Sequence, residues 1–524
     1  MLQSTSRNKL LYVVKLYVQQ QFTHITHFTD NSFHLQLLLK YIPKRMHREF
    51  IKTLLPILAI FIIATPALSQ TSDFNLPDLG DSSHQVMSPL EQKQLGEGFY
   101  RQALVYMDLV SDPTLKEYLD NLGNRLIESL GLAKDSFTFF LVNDNTVNAF
   151  AVPGGYIGVH TGLLMTAANE AEVASVLGHE IAHVTQQHIP RMISAQKQNM
   201  LPNLATLLAG ILLGGQATEA AIAITQARSI DNQLTFTRSF EREADRIGIT
   251  VLANSGYDTN SMADFFLRMQ QANTLHETSA PQFLLTHPIT TDRIAEAKAR
   301  AANYPHTAKN DNTQFTLVHA KLSVNSTTAE NAITQFRKKV RRSEATLADH
   351  YGLALALMKG GDYDAARRET ALLLEKATDQ VLFKILQAQI ESGQGNKKKS
   401  LELFRDIYET DKSSLSAITY YAEELAQQSD YTEARKVLRK AVRKFPKNIQ
   451  FYEMLSKAES KTGSQMESHR ALSEAYALIG NYHSAVQQLN IARSLAKKDD
   501  FYVHASITAR IKELKALEAL EKQK

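Results

Sequence analysis

Apolar residues follow several rhythms along this chain. Behind Arg48 and Lys52 an uncharged stretch runs from Leu54 to Ala64. Between Ser136 and Leu164, short apolar runs are cut by Asn143-Asp144-Asn145 and by Pro153-Gly154-Gly155, the punctuation of strands and turns. Two later stretches repeat at helical spacing. Val173, Leu177, Ile181 and Val184 predict a helix with one core-facing side. Asn169 opens it, Glu172 completes a capping-box pattern, and Pro190 is expected to stop it. Phe240, Ala244, Ile247 and Val251 predict a second helix. Between the two, Gln198 to Thr218 carries no charge but is interrupted by Asn199, Pro202, Asn203 and Gly214-Gly215, too often for a membrane span. It reads as a covering helical hairpin, as a segment resting on a membrane surface, or as plain core packing.

After residue 312 the period lengthens. Ala320, Ala354, Ala388, Ala422 and Ser456 recur every 34 residues, and Ala332, Ala366, Ser400, Ala434 and Ser468 form a second series of the same period. Small residues where paired helices touch, at this period, are the tetratricopeptide pattern. The unit GNYHSAV places Ala485 51 residues after Ala434, one and a half periods, which predicts one extra helix in the stack. A solenoid over 313–520, joined by a linker at 301–312, is expected to offer a concave surface to a protein partner.

Composition changes the picture mainly at the N-terminus. The basic start, the apolar stretch and Ala67-Leu68-Ser69 have the order of a secretory signal over 46–69, cleaved after Ser69. An exported protein is therefore expected. Since signals open a chain, translation is expected to begin at Met46, with residues 1–45 a mis-called extension. The formal charge of the 524 residues is +4. Residues 1–69 hold eight Lys/Arg and two acids, so the remainder carries −2. The basic character belongs to the leader, and nothing argues for nucleic acid as a partner. The chain has no cysteine, which excludes a disulfide framework.

The first predicted helix carries candidate chemistry. His179, Glu180 and His183 spell H-E-x-x-H, and residues four apart project from one face, one turn apart. Two imidazoles so placed meet one zinc ion, with Glu180 beside them as a base that takes a proton from water. A metzincin would continue with Gly at 186 and His at 189; Gln186 and Ile189 stand there instead. His188 falls off the ligand face. The second helix supplies a third ligand: Glu241 to the metal, with Asp245 one turn on to orient a ligand histidine through its other ring nitrogen. Glu243 is the weaker rival, because its i+4 neighbour is Ile247.

VLGHEIAHV, FEREAD and THPITTDR together resemble the M48 family of zinc metallopeptidases, gluzincins with two His and one Glu on the metal. The resemblance covers residues 85 to 300. It implies an α-rich α+β fold: a gluzincin-type metallopeptidase domain with a small sheet over 70–300, followed by the all-α repeat solenoid. It also places His287 near the zinc, with Arg293 completing the H-P-x-x-x-x-R pattern. His287 either polarises the scissile carbonyl or occupies the fourth metal position; four protein ligands close a zinc site and three leave it catalytic. Thr290 or Thr291 is expected to cap the helix begun at Arg293. Asn148 to Val152 is the candidate edge strand for peptide pairing, with an internal strand as the alternative.

Signal, M48-like domain and repeats together resemble periplasmic quality-control peptidases of this family. That implies one Zn²⁺ per chain and cleavage of unfolded or stalled outer-membrane proteins. It further implies chaperone-like support of barrel assembly, with the outer-membrane barrel assembly machinery as partner through the repeats. Peripheral membrane contact through 198–218 and a lid role for that segment are further expectations. The competing reading is a non-hydrolytic periplasmic chaperone or scaffold with a structural zinc.

Overall fold

Ser88 and Asp112, each followed by proline, open the first two helices of the computed structural model. These are α1 (Pro89–Tyr106) and α2 (Pro113–Glu128). Proline suits a first helical turn, where the missing N–H has no partner anyway. The structure describes residues 87–195, 204, 208–212, 232–275, 281–305 and 312–521. The leader at 46–69, the Met46 start and the cleavage after Ser69 lie outside the described residues.

Three short strands follow: β1 (Thr138–Val142), β2 (Ala149–Val152) and β3 (Tyr156–His160). β3 is central, parallel to β1 and antiparallel to β2, with Thr138 opposite Tyr156 and Ala149 opposite Val159. β2 is thus an outer strand of this sheet, the placement that leaves an edge for peptide pairing. Both predicted turns are present, but the strand pattern ends sooner than its apolar run: Thr161–Thr166 is a short helix, α3. Then come α4 (Glu170–Thr185), α5 (His188–Ala195), α6 (Asn232–Asn254), α7 (Ser261–Leu275), α8 (Gln282–Thr286) and α9 (Thr291–Ala301). Within the described part of the uncharged segment, Leu204, Leu208, Ile211 and Leu212 are buried in one cluster with Phe99, Phe140, Phe150 and Ile193, while Ala209 is exposed. Those buried side chains belong to a core. Among the described residues no helix is long and apolar enough to cross a membrane.

The solenoid is built from helix pairs: α10 (Thr313–Asn325) with α11 (Ala329–Val340), α12 (Leu347–Lys359) with α13 (Tyr363–Lys376), and α14 (Val381–Gly393) with α15 (Lys397–Thr410). α16 (Leu415–Gln427) pairs with α17 (Tyr431–Lys444), and α18 (Ile449–Lys461) with α19 (Gln465–Leu478). α20 (Tyr482–Leu495) and α21 (Phe501–Glu521) end the chain's described helices. First helices begin 34 residues apart, and so do second helices. Left-handed residues mark the turns inside four pairs at the same interval: Gly361, Gly395, Ser429 and Gly463. Glycine adopts that conformation without a Cβ penalty; Ser429 bears it at φ 63°.

The half-period is visible too. Gly480, at φ 80°, comes 17 residues after Gly463. Ser456 and Ser468 meet Oγ to Oγ at 3.0 Å across α18 and α19, while Ser473 Oγ donates to Ala485 O at 3.0 Å across α19 and α20. α19 therefore serves as second helix to α18 and as first helix to α20. Two helices, not one, separate α17 from α20, which is the extra helix expected.

The repeat region does not begin at a clean seam. Phe315, Val318 and Leu322 of α10 belong to the core around β1, β3 and α4, whereas Leu317, Ala320 and Val324 of the same helix belong to the solenoid core. Lys321 of α10 is buried and reaches Asp112 Oδ2 at 2.6 Å and Thr114 Oγ1 at 2.7 Å.

Candidate metal centre and active site

α4 starts as its sequence dictates. Asn169 Oδ1 accepts from Glu172 N at 3.0 Å, and Glu172 Oε2 accepts from Ala168 N at 2.8 Å, one residue short of a full capping box. Its packing departs from the one-sided expectation, since every residue from Glu170 to Ala182 is buried. α4 is a central helix, and the apolar stripe shows only the least polar of its faces. Its end also differs. Gln187 at φ 54° breaks α4 after the Gln186 cap, and Pro190 sits in the first turn of α5 rather than stopping α4.

Gly178 and Gly248 bring α4 and α6 together. A Cβ added at Gly248 would meet His179 N at 3.2 Å and Gly178 C at 3.3 Å; one at Gly178 would meet Gly248 O at 3.3 Å. Backbone on both sides of this contact cannot yield as a flexible side chain would. Close approach lets the ligand face of α4 meet Glu241 and Asp245 of α6. The glycines were legible as residues, but no local pattern pairs them.

Four side chains converge. The ligand atoms of His179, His183, Glu241 and His287 all lie within 4.8 Å of one another. His179 Nε2 is 2.9 Å from His183 Nε2, 3.3 Å from Glu241 Oε2 and 3.2 Å from His287 Nδ1. His287 Nδ1 is 3.0 Å from Glu241 Oε1, and its Nε2 is 3.4 Å from Glu180 Oε1. Phe283 stacks on the His287 ring with centroids 4.9 Å apart. Glu180 is fully buried; its Oε1 has no hydrogen-bond partner among the described residues, while the backbone of Ala151 in β2 bonds the carboxyl. Burial raises its pKa.

Behind these lie the supporting groups. Asp245 Oδ1 is 3.0 Å from His179 Nδ1. Arg293 donates to Asp245 through Nε and Nη2, each at 2.8 Å, and to Pro288 O through Nη1 at 2.8 Å. Its Nη1 also lies 2.9 Å from Glu241 Oε2. One guanidinium thus braces both carboxylates and the turn that carries His287. Thr290 caps α9, accepting from Arg293 N. Glu243 turns away from the cluster, pairing with Arg191 at 2.9 Å and with His188 at 3.3 Å. Helical spacing alone did not place His188 beside the cluster; the positive φ at Gln187 carries it back onto His183.

The donor set fits a divalent zinc-type ion: imidazole nitrogens and one carboxylate, buried and convergent. With Nδ1 of His179 given to Asp245, its Nε2 faces the other donors, and its lone pair becomes available once the ring loses a proton. The electrostatics agree. Burial opposes charge on His179, yet Glu241 and Asp245 lift it to about 10. At His183 burial prevails and the ring is pushed down to about 3. Burial likewise opposes ionisation of Glu241, but His287 and His179 hold it well below the usual carboxylate range. Arg293 and a protonated His179 offset Glu241 and Asp245, and a divalent cation can take the place of the ring proton that these carboxylates hold on His179.

An H-E-x-x-H helix, a glutamate helix beside it and a small sheet at its flank define a gluzincin-type metallopeptidase. Residues 113–301 match the family described as Peptidase family M48, and residues 415–458 match a tetratricopeptide repeat. The chain belongs to the M48 peptidases that carry such repeats. It is 34% identical over 456 residues to a putative beta-barrel assembly-enhancing protease of Vibrio cholerae, spanning 86% of this chain and 94% of that one. To the beta-barrel assembly-enhancing protease of Escherichia coli strain K12 it is 30% identical over 485 residues, 91% of this chain and 98% of the relative. A narrower match, 27% over 226 residues, joins it to the mitochondrial metalloendopeptidase OMA1 of Homo sapiens, covering 41% and 42% of the two chains.

Proposed function

We propose that this metallopeptidase is a periplasmic, zinc-dependent endopeptidase acting on misassembled outer-membrane proteins. His179, His183 and Glu241 hold one zinc ion per chain, and Glu180 is the general base. The carrying observation is the convergence of the four donors beside a buried carboxylate oxygen that accepts no hydrogen bond among the described residues. Zinc bound there supplies Lewis acidity, polarising a carbonyl and lowering the pKa of water. The chain's own groups do the rest. Glu180 Oε1 takes the proton of the attacking water and delivers it to the leaving amine nitrogen. Its raised pKa makes it a stronger base than an exposed carboxylate. Asp245 holds the His179 ring, and Arg293 holds Asp245 and Glu241. The outer strand β2, tied to Glu180 through Ala151, offers main-chain groups to an extended peptide.

His287 lies between Glu241 and Glu180. This supports a self-inhibited resting state in which it completes a four-donor set, relieved by a client that binds the open form better. The substrate class rests on the names of the Vibrio and Escherichia relatives. In this reading the solenoid recruits the client or the barrel assembly machinery and lends chaperone-like support. A non-hydrolytic scaffold with a structural zinc makes the opposite prediction for Glu180.

Zinc content and casein cleavage of the purified chain separate the two. Glu180→Gln is expected to keep about one zinc and lose roughly 10²–10⁴ in rate, whereas Glu241→Ala loses the metal. His287→Ala is expected to keep zinc and raise basal cleavage. Wild-type protein that holds zinc and cleaves no better than Glu180→Gln would leave the scaffold.

A further inference from the structure

His183 has a second ring nitrogen, and its partner differs from that of His179. His183 Nδ1 lies 2.9 Å from His188 Nδ1, and His188 Nε2 lies 3.3 Å from Glu243 Oε2. Glu243 Oε2 in turn accepts from Arg191 Nη1 at 2.9 Å. A residue five places further along an unbroken helix would point about 140° away from His183. The left-handed Gln187 removes that separation by ending α4 and starting α5 at His188. The His188 ring is 3% exposed and stacks on Phe240, centroids 4.6 Å apart with planes 17° from parallel. The Arg191 guanidinium lies over the same Phe240 ring at 4.8 Å.

Proton positions follow from the order of contacts. A His183 that offers Nε2 to a metal ion carries its ring proton on Nδ1. That proton is donated to the Nδ1 lone pair of His188, which leaves His188 with its own proton on Nε2. His188 Nε2–H then donates to Glu243, whose charge Arg191 offsets. Every link has one donor and one acceptor. His179 reaches the same end in one step, through Asp245.

We propose that His188 and Glu243 are positioning residues for the metal centre: they fix the His183 ring and keep its proton on Nδ1, so that Nε2 faces the ion. The inference rests on the zinc reading of the cluster. Groups that orient a ligand histidine set metal affinity by about 10–100-fold. A stacking ring with no further role would instead affect only packing.

The test is zinc affinity of the full-length protein, titrated with zinc ion against a chromophoric chelator, alongside the melting temperature of the chelator-stripped protein. His188→Phe keeps a flat ring on Phe240 and removes both hydrogen bonds; its zinc dissociation constant is expected to rise about 10–100-fold. His188→Asn, with an amide oxygen near the Nδ1 position, is expected to recover part of that loss. Glu243→Gln, at a half-buried position, is expected to lose about tenfold. In all three the stripped protein melts as wild type does. His188→Phe and Glu243→Gln binding zinc as tightly as wild type would overturn the relay. So would a loss shared equally by Phe and Asn and matched by a lower melting temperature of the stripped protein. Wild type that binds no zinc would instead remove the metal reading, and the relay with it.

Discussion

Two kinds of helix pair in this chain use the same device under different burdens. α4 and α6 close on each other through Gly178 and Gly248. The helices of a solenoid pair close through small residues such as Ala354 and Ala366, both fully buried. In the fifth pair the equivalent Ser456 and Ser468 touch at 3.0 Å. In the solenoid the contact only packs helices, and each repeat depends on its neighbours alone. At the metal centre the glycine contact also sets where His179, His183, Glu241 and Asp245 stand relative to one another. Placement of a few tenths of an ångström matters there, because ligand distances tolerate only about ±0.2 Å. Small residues thus carry fold in one region and chemistry in the other.

The largest effect that would test this difference is at Gly248. Gly248→Val adds atoms that meet His179 N and Gly178 C, and backbone cannot move aside. Zinc is expected to be lost and casein cleavage to fall to background. Overpacking is expected to add a stability loss of about 1–3 kcal/mol. Ala366→Leu, its counterpart in the solenoid, is expected to cost about 1–3 kcal/mol as well but to keep full zinc. Metal analysis and thermal melts of both proteins decide it. Zinc retained in Gly248→Val, or lost in Ala366→Leu, would erase the distinction.

The same contrast explains what the sequence disclosed. Solenoid information is periodic, so the 34-residue alanine series and the displaced Ala485 were readable, and the helices stand at those intervals. The H-E-x-x-H spacing was readable because both imidazoles lie on one turn of one helix. Contacts made at long range left no such trace. Nothing local pairs Gly178 with Gly248, 70 residues apart. Nothing local announces that α4 is buried all round, since a central helix and an amphipathic one share the same stripe. Pro190 looked like a stop because proline breaks helix interiors, yet at the first turn of α5 it has no N–H to lose. The left-handed Gln187 has no glycine to betray it, and His188 was misplaced as a result. Nor does anything local announce that α10, beyond the expected linker at 301–312, fills two cores.

A middle-sized effect sharpens the metal side of the comparison. Arg293 bridges Asp245, Glu241 and the Pro288 carbonyl with one planar fork. Lysine keeps the charge but supplies a point, not a fork. Arg293→Lys is expected to weaken zinc binding about 10–100-fold, read by chelator competition, with its melting temperature close to wild type. If zinc affinity holds while cleavage collapses, Arg293 acts on the substrate instead, and the bracing role is wrong.

The smallest expected effect lies where the two regions meet. Glu117 of α2 accepts from Ser414 Oγ at 3.1 Å, Leu415 N at 2.8 Å and Ser416 N at 3.4 Å, and also from Ser416 Oγ. Ser414 is itself the N-cap of α16, accepting from Ala417 N at 3.1 Å. A peptidase carboxylate therefore completes the cap of a solenoid helix, satisfying orphan N–H groups and facing the positive end of the helix dipole. Glu117→Ala leaves Ser414 in place and removes only the part supplied from α2. The expected cost is about 0.5–2 kcal/mol, with zinc content and cleavage of a short peptide unchanged. Because Lys321 still ties α10 to Asp112, the regions stay joined, and calorimetry should show the solenoid transition moving down while the peptidase transition stays. A uniform shift of both would mean that α10 and α16 couple the regions into one cooperative unit, and the division drawn between packing helices and chemical helices would not extend to their unfolding.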